Sequence, residues 1–164
     1  MGCLLLTAST TDCNYILAGV TDLWLTNFTW LSASTATALT MSGSAKFFRM
    51  EFENNSASFT NELVPGIVKH VKQGISWQTA SQGQTISDVA NALGLGTYAG
   101  IVKTRTGKKF LIGRTGNGLS ASQLSLNSGA ADTDTNIGMI VTLEGGATEF
   151  ALEYTGADST IPTY

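Results

Sequence analysis

Charge is scarce in this sequence. Asp, Glu, Lys and Arg make up 13% of its 164 residues, against about 25% in ordinary globular domains. Ser, Thr, Gly and Ala take the vacant places. So little charge protects a free monomer poorly. It suits a domain partly covered by neighbours, and equally a β protein with a hydroxyl-rich exterior. Histidine occurs once, at His70, so any Ser/His/Asp site must use it. The nearest nucleophile-elbow string, GISWQ at 74–78, lacks its closing glycine and falls within a strand pattern, where no strand-to-helix turn exposes the serine. His70 therefore reads as a strand residue, and a hydrolase is not expected. The two cysteines, Cys3 and Cys13, form neither a CxxC pair nor a ligand set and read as buried or idle thiols. Residues 1–6 lack a basic n-region, and Leu6 stands where an acylation signal wants Ser or Thr. No run approaches the ~20 apolar residues of a membrane span. The expectation is one domain over 1–164, made in a reducing cytoplasm and not entering a membrane.

The few charges are segregated. Residues 1–45 hold two acids and no base; residues 46–114 hold all nine Lys and Arg against four acids, a net +5; residues 115–164 hold six acids and no base, a net −6. A basic middle and an acidic end can pair inside one subunit, or steer one subunit onto another. Nucleic-acid binding is the weaker third use, because acids interrupt the block and no stacking aromatics accompany the 103–109 cluster.

The hydrophobic pattern is mainly that of strands. Residues 20–31 carry Val20, Trp24, Phe28 and Trp30 on one side and Leu23, Leu25 and Leu31 on the other, a strand or two short ones covered on both faces. Residues 32–45 read as a loop leading into a short strand. In 46–53, Phe48, Met50 and Phe52 alternate with Arg49, Glu51 and Glu53, a half-buried strand. Asn54-Asn55 is a turn signal, a strand over 57–64 stops at Pro65-Gly66, and 67–79 returns with Gly74 as a bulge candidate. Together 46–79 reads as one long β-hairpin arm. Residues 85–95 form the helix. Thr85 with Asp88 approximates a capping box, Ile86, Val89, Ala90 and Leu93 make one apolar stripe, and Gly94 or Gly96 ends it. Two hairpins follow, 98–114 turning at Thr106-Gly107 and 137–154 turning at Gly145-Gly146. The stretch 115–136 between them reads as a long surface loop, 1–19 as an N-terminal arm and 155–164 as an extended tail. The fold class is mainly β: a β-sandwich or small β-barrel with one short helix and a long hairpin arm.

Chemistry-bearing motifs are incomplete. Asp132, Asp134 and Asn136 start like a calcium loop, but Ile137 sits where the glycine belongs and Leu143 where the bidentate acid belongs; a polar turn is the expectation. Gly113, Gly116 and Gly118 open no helix and fit neither phosphate-cradling spacing. Glu144, Glu149 and Glu153 are too plentiful to define an acid/base pair and suit a charged sheet edge. No catalytic residue, metal site or cofactor is expected.

The order of elements resembles the tail tube proteins of tailed bacteriophages and their relatives in contractile injection systems. The resemblance rests on the hairpin 46–79, on the single helix 85–95 between two β halves, and on the closing series of Gly118-Leu119, Ser128-Gly129, 132–138, 140–144 and 150–154. It covers most of 20–154 and contains no invariant motif. It implies a non-enzymatic β-sandwich or barrel that closes into rings, usually hexameric, stacked head to tail into a tube in the virion tail. Inner strands of adjacent subunits line a channel through which the genome passes. Partners are then further copies, other tail proteins, and DNA only in transit; assembly takes place in the host bacterial cytoplasm. Charge complementarity and turn positions nominate Lys103, Arg105, Lys108, Lys109, Glu144, Glu149, Glu153, Asn54, Asn55 and Pro65 as subunit-interface residues. The competing expectations are a carbohydrate-binding or virion-decorating sandwich using exposed aromatics, and an enzyme built on a carboxylate pair.

Overall fold

A computed structural model describes residues 19–32, 34–80, 83–127 and 138–164. Most of the expected N-terminal arm and the 132–136 run lie outside the described residues. Among the described residues nine strands and one α-helix follow in chain order: β1 Val20–Asn27, β2 Phe48–Met50, β3 Ser58–Val64, β4 His70–Thr79, α1 Gln84–Leu95, β5 Tyr98–Thr104, β6 Lys109–Ile112, β7 Ser120–Asn127, β8 Gly138–Ala147 and β9 Leu152–Tyr154. They build two antiparallel sheets, a first in the order β2-β1-β5-β6-β9 and a second in the order β3-β4-β8-β7. The fold is a β-sandwich with one short helix.

The main core lies between the sheets. Leu23, Leu25, Val102 and Ile112 of the first sheet meet Ile75, Trp77, Val141 and Leu143 of the second. Removing such side chains from water is the main stabilising term, about 1.5–3 kcal/mol each. A second cluster covers the other face of the first sheet: Trp24, Ile101, Leu111 and Tyr154 pack with Phe47 and Ile161, and Leu31, Leu39 and Met41 close over them. The segment expected as a loop, 32–45, is thus the lid of this cluster. β1 is covered on both faces, as its sequence implies. A register shift between Val20 and Asp22 explains why Val20 joins Leu23 and Leu25 in the main core, since an extra residue flips side-chain parity.

Helix α1 carries the expected stripe. Ala90 and Leu93 are buried, with Ile86 and Val89 packed beside them. Its N-cap is Gly83, with no side-chain cap. Thr85 lies inside the first turn, and Asp88 instead accepts a hydrogen bond from Gln84 Nε2 at 2.9 Å. Gly96 ends the helix, its N–H bonded to the Ala92 carbonyl.

Two expected pairings are corrected, together with a loop and a bulge. The hairpin is formed by 58–64 and 70–79, while 46–53 sends β2 to the first sheet, against β1. Asn54-Asn55 is a true turn, with Asn55 in the left-handed region at φ 66, but it carries the chain from one sheet to the other. Gly145-Gly146 is no turn: β8 runs straight through it, pairing Gln73 with Gly145 and Lys72 with Gly146, and β9 joins the first sheet against β6. The 116–118 backbone lies directly on these two glycines, and a Cβ on Gly145 would collide with the Gly118 carbonyl. Within the expected loop 115–136, residues 120–127 form β7. Gly74 sits in an unbroken ladder on both sides, so it is no bulge; a Cβ there would press on Thr60 Oγ1 at 2.8 Å.

Candidate assembly surface

Among the described residues, the second sheet is the one whose outer face is left open. Inward residues of β4 and β8 alternate with outward Lys72, Gly74, Ser76 and Gln78, and with Ile140, Thr142, Glu144 and Gly146. Register then places Ser58, Thr60 and Glu62 of β3 and Ser120, Gln123 and Ser125 of β7 on the same outward face. Hydroxyls and amides dominate this face. Its one lysine, Lys72, is bonded to Glu144 at 2.9 Å, so the face offers no unopposed lysine.

The edges of the two sheets differ as much as their faces. Edge strands β2 and β9 of the first sheet have three residues each. Next to β2, the Phe47 N–H donates to the Pro162 carbonyl at 2.8 Å and the Tyr164 N–H to the Phe47 carbonyl at 3.2 Å; after β9, the Thr155 N–H donates to the Ala36 carbonyl at 2.7 Å. Edge strands β3 and β7 of the second sheet have seven and eight residues, each paired on one side only among the described residues. β7 contains no charged residue, and Glu62 is the one charge in β3. Long edges without charge are templates for pairing with another chain.

The nominated interface charges are mostly engaged within the chain. Asp158 accepts from Lys103 at 2.5 Å and from Lys109 at 2.7 Å. The Lys109 ammonium also donates to the Gly156 carbonyl and lies 5.4 Å from the centre of the Tyr154 ring. Its side chain is only 9% exposed. The Lys103 hydrogen bond, then that of Lys109, holds the Asp158 carboxyl below the usual carboxylate range, and Asp158 in turn raises Lys103. Arg114 pairs with Glu149, and Arg105 donates to the Asn55 side-chain oxygen. The basic middle and the acidic end therefore meet inside one subunit, tying the 149–158 segment to β5 and β6. Lys108, Glu153, Asn54 and Pro65 are exposed, Pro65 at the tip of the β3–β4 hairpin. His70 opens β4 on the exposed surface, and Ser76, about 20 Å further along the strand, accepts a hydrogen bond at its Oγ from Thr142 Oγ1 at 3.1 Å. Among the described residues no three His, Cys, Asp or Glu converge as metal ligands, and no helix is long and apolar enough to cross a membrane.

One buried polar residue escaped the sequence reading. Gln73, 2% exposed, accepts the Gly113 N–H at 2.9 Å and donates to the Glu149 carbonyl at 3.1 Å. It clamps the two sheets together near the hairpin end. Its place at an inward position of β4 was readable from alternation; its partners, distant in sequence, were not. No protein-family model, curated protein or solved structure matches the chain.

Proposed function

We propose that this chain is a structural subunit that joins copies of itself, edge to edge, into a ring of the phage-tail-tube type. The observation that carries the reading is the second sheet, whose two long edge strands pair on one side only among the described residues and flank a hydroxyl-lined face. Joining β3 of one copy to β7 of the next satisfies both rows of backbone groups and removes the edges. The outward face then becomes a continuous wall. Its one lysine is already paired with Glu144. Such a wall lets a polyanion pass, whereas a basic one would hold its phosphates. Rings of this kind, by resemblance hexameric, stack in a virion tail with other tail proteins as neighbours, and DNA is cargo in transit. The subunit performs no catalysis and needs no cofactor.

Sedimentation velocity with negative-stain microscopy tests the reading. Closed rings or tubes are expected as concentration rises, and a sharp monomer boundary at high concentration overturns it. One observation favours a decorating or carbohydrate-binding module instead: Phe48 and Tyr164 stack at 4.5 Å and are 49% and 67% exposed. That module would stay monomeric, and its glycan binding would vanish in Tyr164→Ala.

A further inference from the structure

An apolar groove of about 600 Å³ opens between α1 and the β1–β2 edge, lined by Leu25, Met50, Ile86, Val89, Leu93 and Met139. The polar side chains around it are largely engaged. The Tyr98 hydroxyl donates to the Ala92 carbonyl at 2.5 Å, Thr79 Oγ1 to the Glu51 carbonyl at 3.0 Å, and Arg49 to Asp22 at 2.6 Å. Arg49 and Glu51 both line the groove, so charge of neither sign selects its occupant, and apolar surface does. A second hollow of about 420 Å³ lies alongside, with Val20 and Arg105 in its lining. Arg49, Met50 and Glu51 line both, so the two hollows share a wall along β2.

We infer that the groove is a docking site for the chain's own residues 1–18, with Leu4, Leu5 and Leu6 as the side chains it takes. The contact is made within one subunit and does not depend on the ring reading. Residues 1–18 lie outside the described residues; their sequence holds two apolar runs, 4–6 and 15–17, one acid and no base. The described chain begins at Gly19 beside the smaller hollow, where the Gly19 carbonyl accepts the Arg105 N–H at 3.2 Å. From there the six residues to Leu25 in the groove span about 20 Å at about 3.3 Å each. Leu6 stands thirteen residues before Gly19, a reach of about 40 Å when extended. Residues 15–17 reach only the smaller hollow, and 4–6 reach the groove with chain to spare. The other undescribed stretch that ends beside the groove, 128–137, holds one large apolar residue, Ile137. A tethered segment also competes at an effective concentration of about a millimolar, which favours it over a neighbour's copy. The groove then opens to another molecule only when this arm leaves it.

The native thiol of Cys3, next to the run 4–6, reads this contact directly. With Cys13→Ser in place, Ala92→Cys sets a second thiol at an exposed position in the groove wall. Mild oxidation of a dilute sample should close an intramolecular disulfide from Cys3, followed by thiol titration and peptide mapping. The control carries Lys108→Cys instead, exposed on the β5–β6 turn whose Arg105 bonds Gly19. A segment with no seat would reach that nearer position at least as often. Closure at position 92 should therefore be several-fold faster than at position 108. Leu5→Asp with Leu6→Asp should erase that advantage and raise the fluorescence of an apolar dye several-fold as the groove is bared. Equal or faster closure at position 108, or an advantage at 92 that survives the Asp pair, overturns the inference. Disulfides that form between chains, in proportion to concentration, overturn it too and assign the groove to a neighbouring copy.

Discussion

The two sheets of this molecule treat their outer faces in opposite ways. The first buries its outer face under its own chain, with Phe47, Leu31, Leu39, Met41 and Ile161 closing over Trp24, Ile101 and Leu111. The second leaves its outer face to hydroxyls and amides, and its edge strands β3 and β7 pair on one side only among the described residues, with α1 packed beside β7. Among the described residues, one sheet has its outer face covered within the subunit and the other does not. The small number of charges follows the same division. Five ion pairs are formed among the described residues, and four of them tie the basic middle to the acidic end. The charge segregation thus serves to seat the chain's final segment, and the self-recognition proposed above relies on backbone edges.

Substitutions can sharpen or break this contrast. Phe47→Ala should cost about 3–5 kcal/mol in urea unfolding, because the ring is fully buried in the covered face. Ile140→Ala on the open face should cost about 1 kcal/mol, since that side chain stays partly in water. Equal losses would erase the distinction between the faces. Lys109→Glu comes next, at about 3 kcal/mol, since it sets a carboxylate against Asp158 in a nearly buried site. Lys108→Glu, one residue away and exposed, should leave stability within about 0.5 kcal/mol.

Asp158→Asn should cost about 1.5 kcal/mol, the lower end for hydrogen bonds to charged groups, because the carboxylate is half exposed. The sign of its pH dependence is fixed by direction. A lowered Asp158 pKa gives stability that is present above the unfolded value of about 3.9 and is lost as pH falls through the lowered one. Raised Lys103 gives stability complete below about 10.4 and lost as pH climbs through its higher value. Acid unfolding of Asp158→Asn should therefore show a shallower fall than the parent chain, with little difference in slope between those limits. The smallest stability effect belongs to Ser122→Lys with Ser125→Lys on β7, within about 0.5 kcal/mol. Yet these charges at an open edge should abolish ring formation in sedimentation, and rings that persist would show that β7 is not the joint.

Strands were legible wherever apolar and polar residues alternate, and the helix wherever its stripe repeats. What composition could not reveal was pairing. The alternation over 46–53 marks a strand correctly, but nothing local says that Phe48–Met50 pairs with β1 instead of turning back on 58–64. β7 reads as a loop because SASQLSLN has the same serine, glutamine and asparagine content whether it is a strand with a solvated face or no strand at all. Gly145-Gly146 has the composition of a turn, yet Gly145 is needed because the Gly118 backbone crosses it. A turn and a backbone crossing demand the same missing Cβ, so the sequence signal is degenerate. Of the candidate surface, sequence alone nominated Glu144, on the outward face of β8, and Pro65 at the hairpin tip. The open edges depend on strand order, which is a property of the whole chain.

The first sheet also sets a kinetic order. Val20 must find Thr104, and Phe47 must find Thr163, whereas β3 and β4 need only close the short 65–69 tip. Local hairpins form in about 1–10 μs, but folds dominated by distant pairings take milliseconds to seconds. During that interval the hairpin exposes the β4 edge that β8 later covers and the inward side chains Val71, Ile75 and Trp77 that the sandwich later buries. Refolding yield should then fall as chain concentration rises, with premature association between half-folded chains competing against closure of the first sheet.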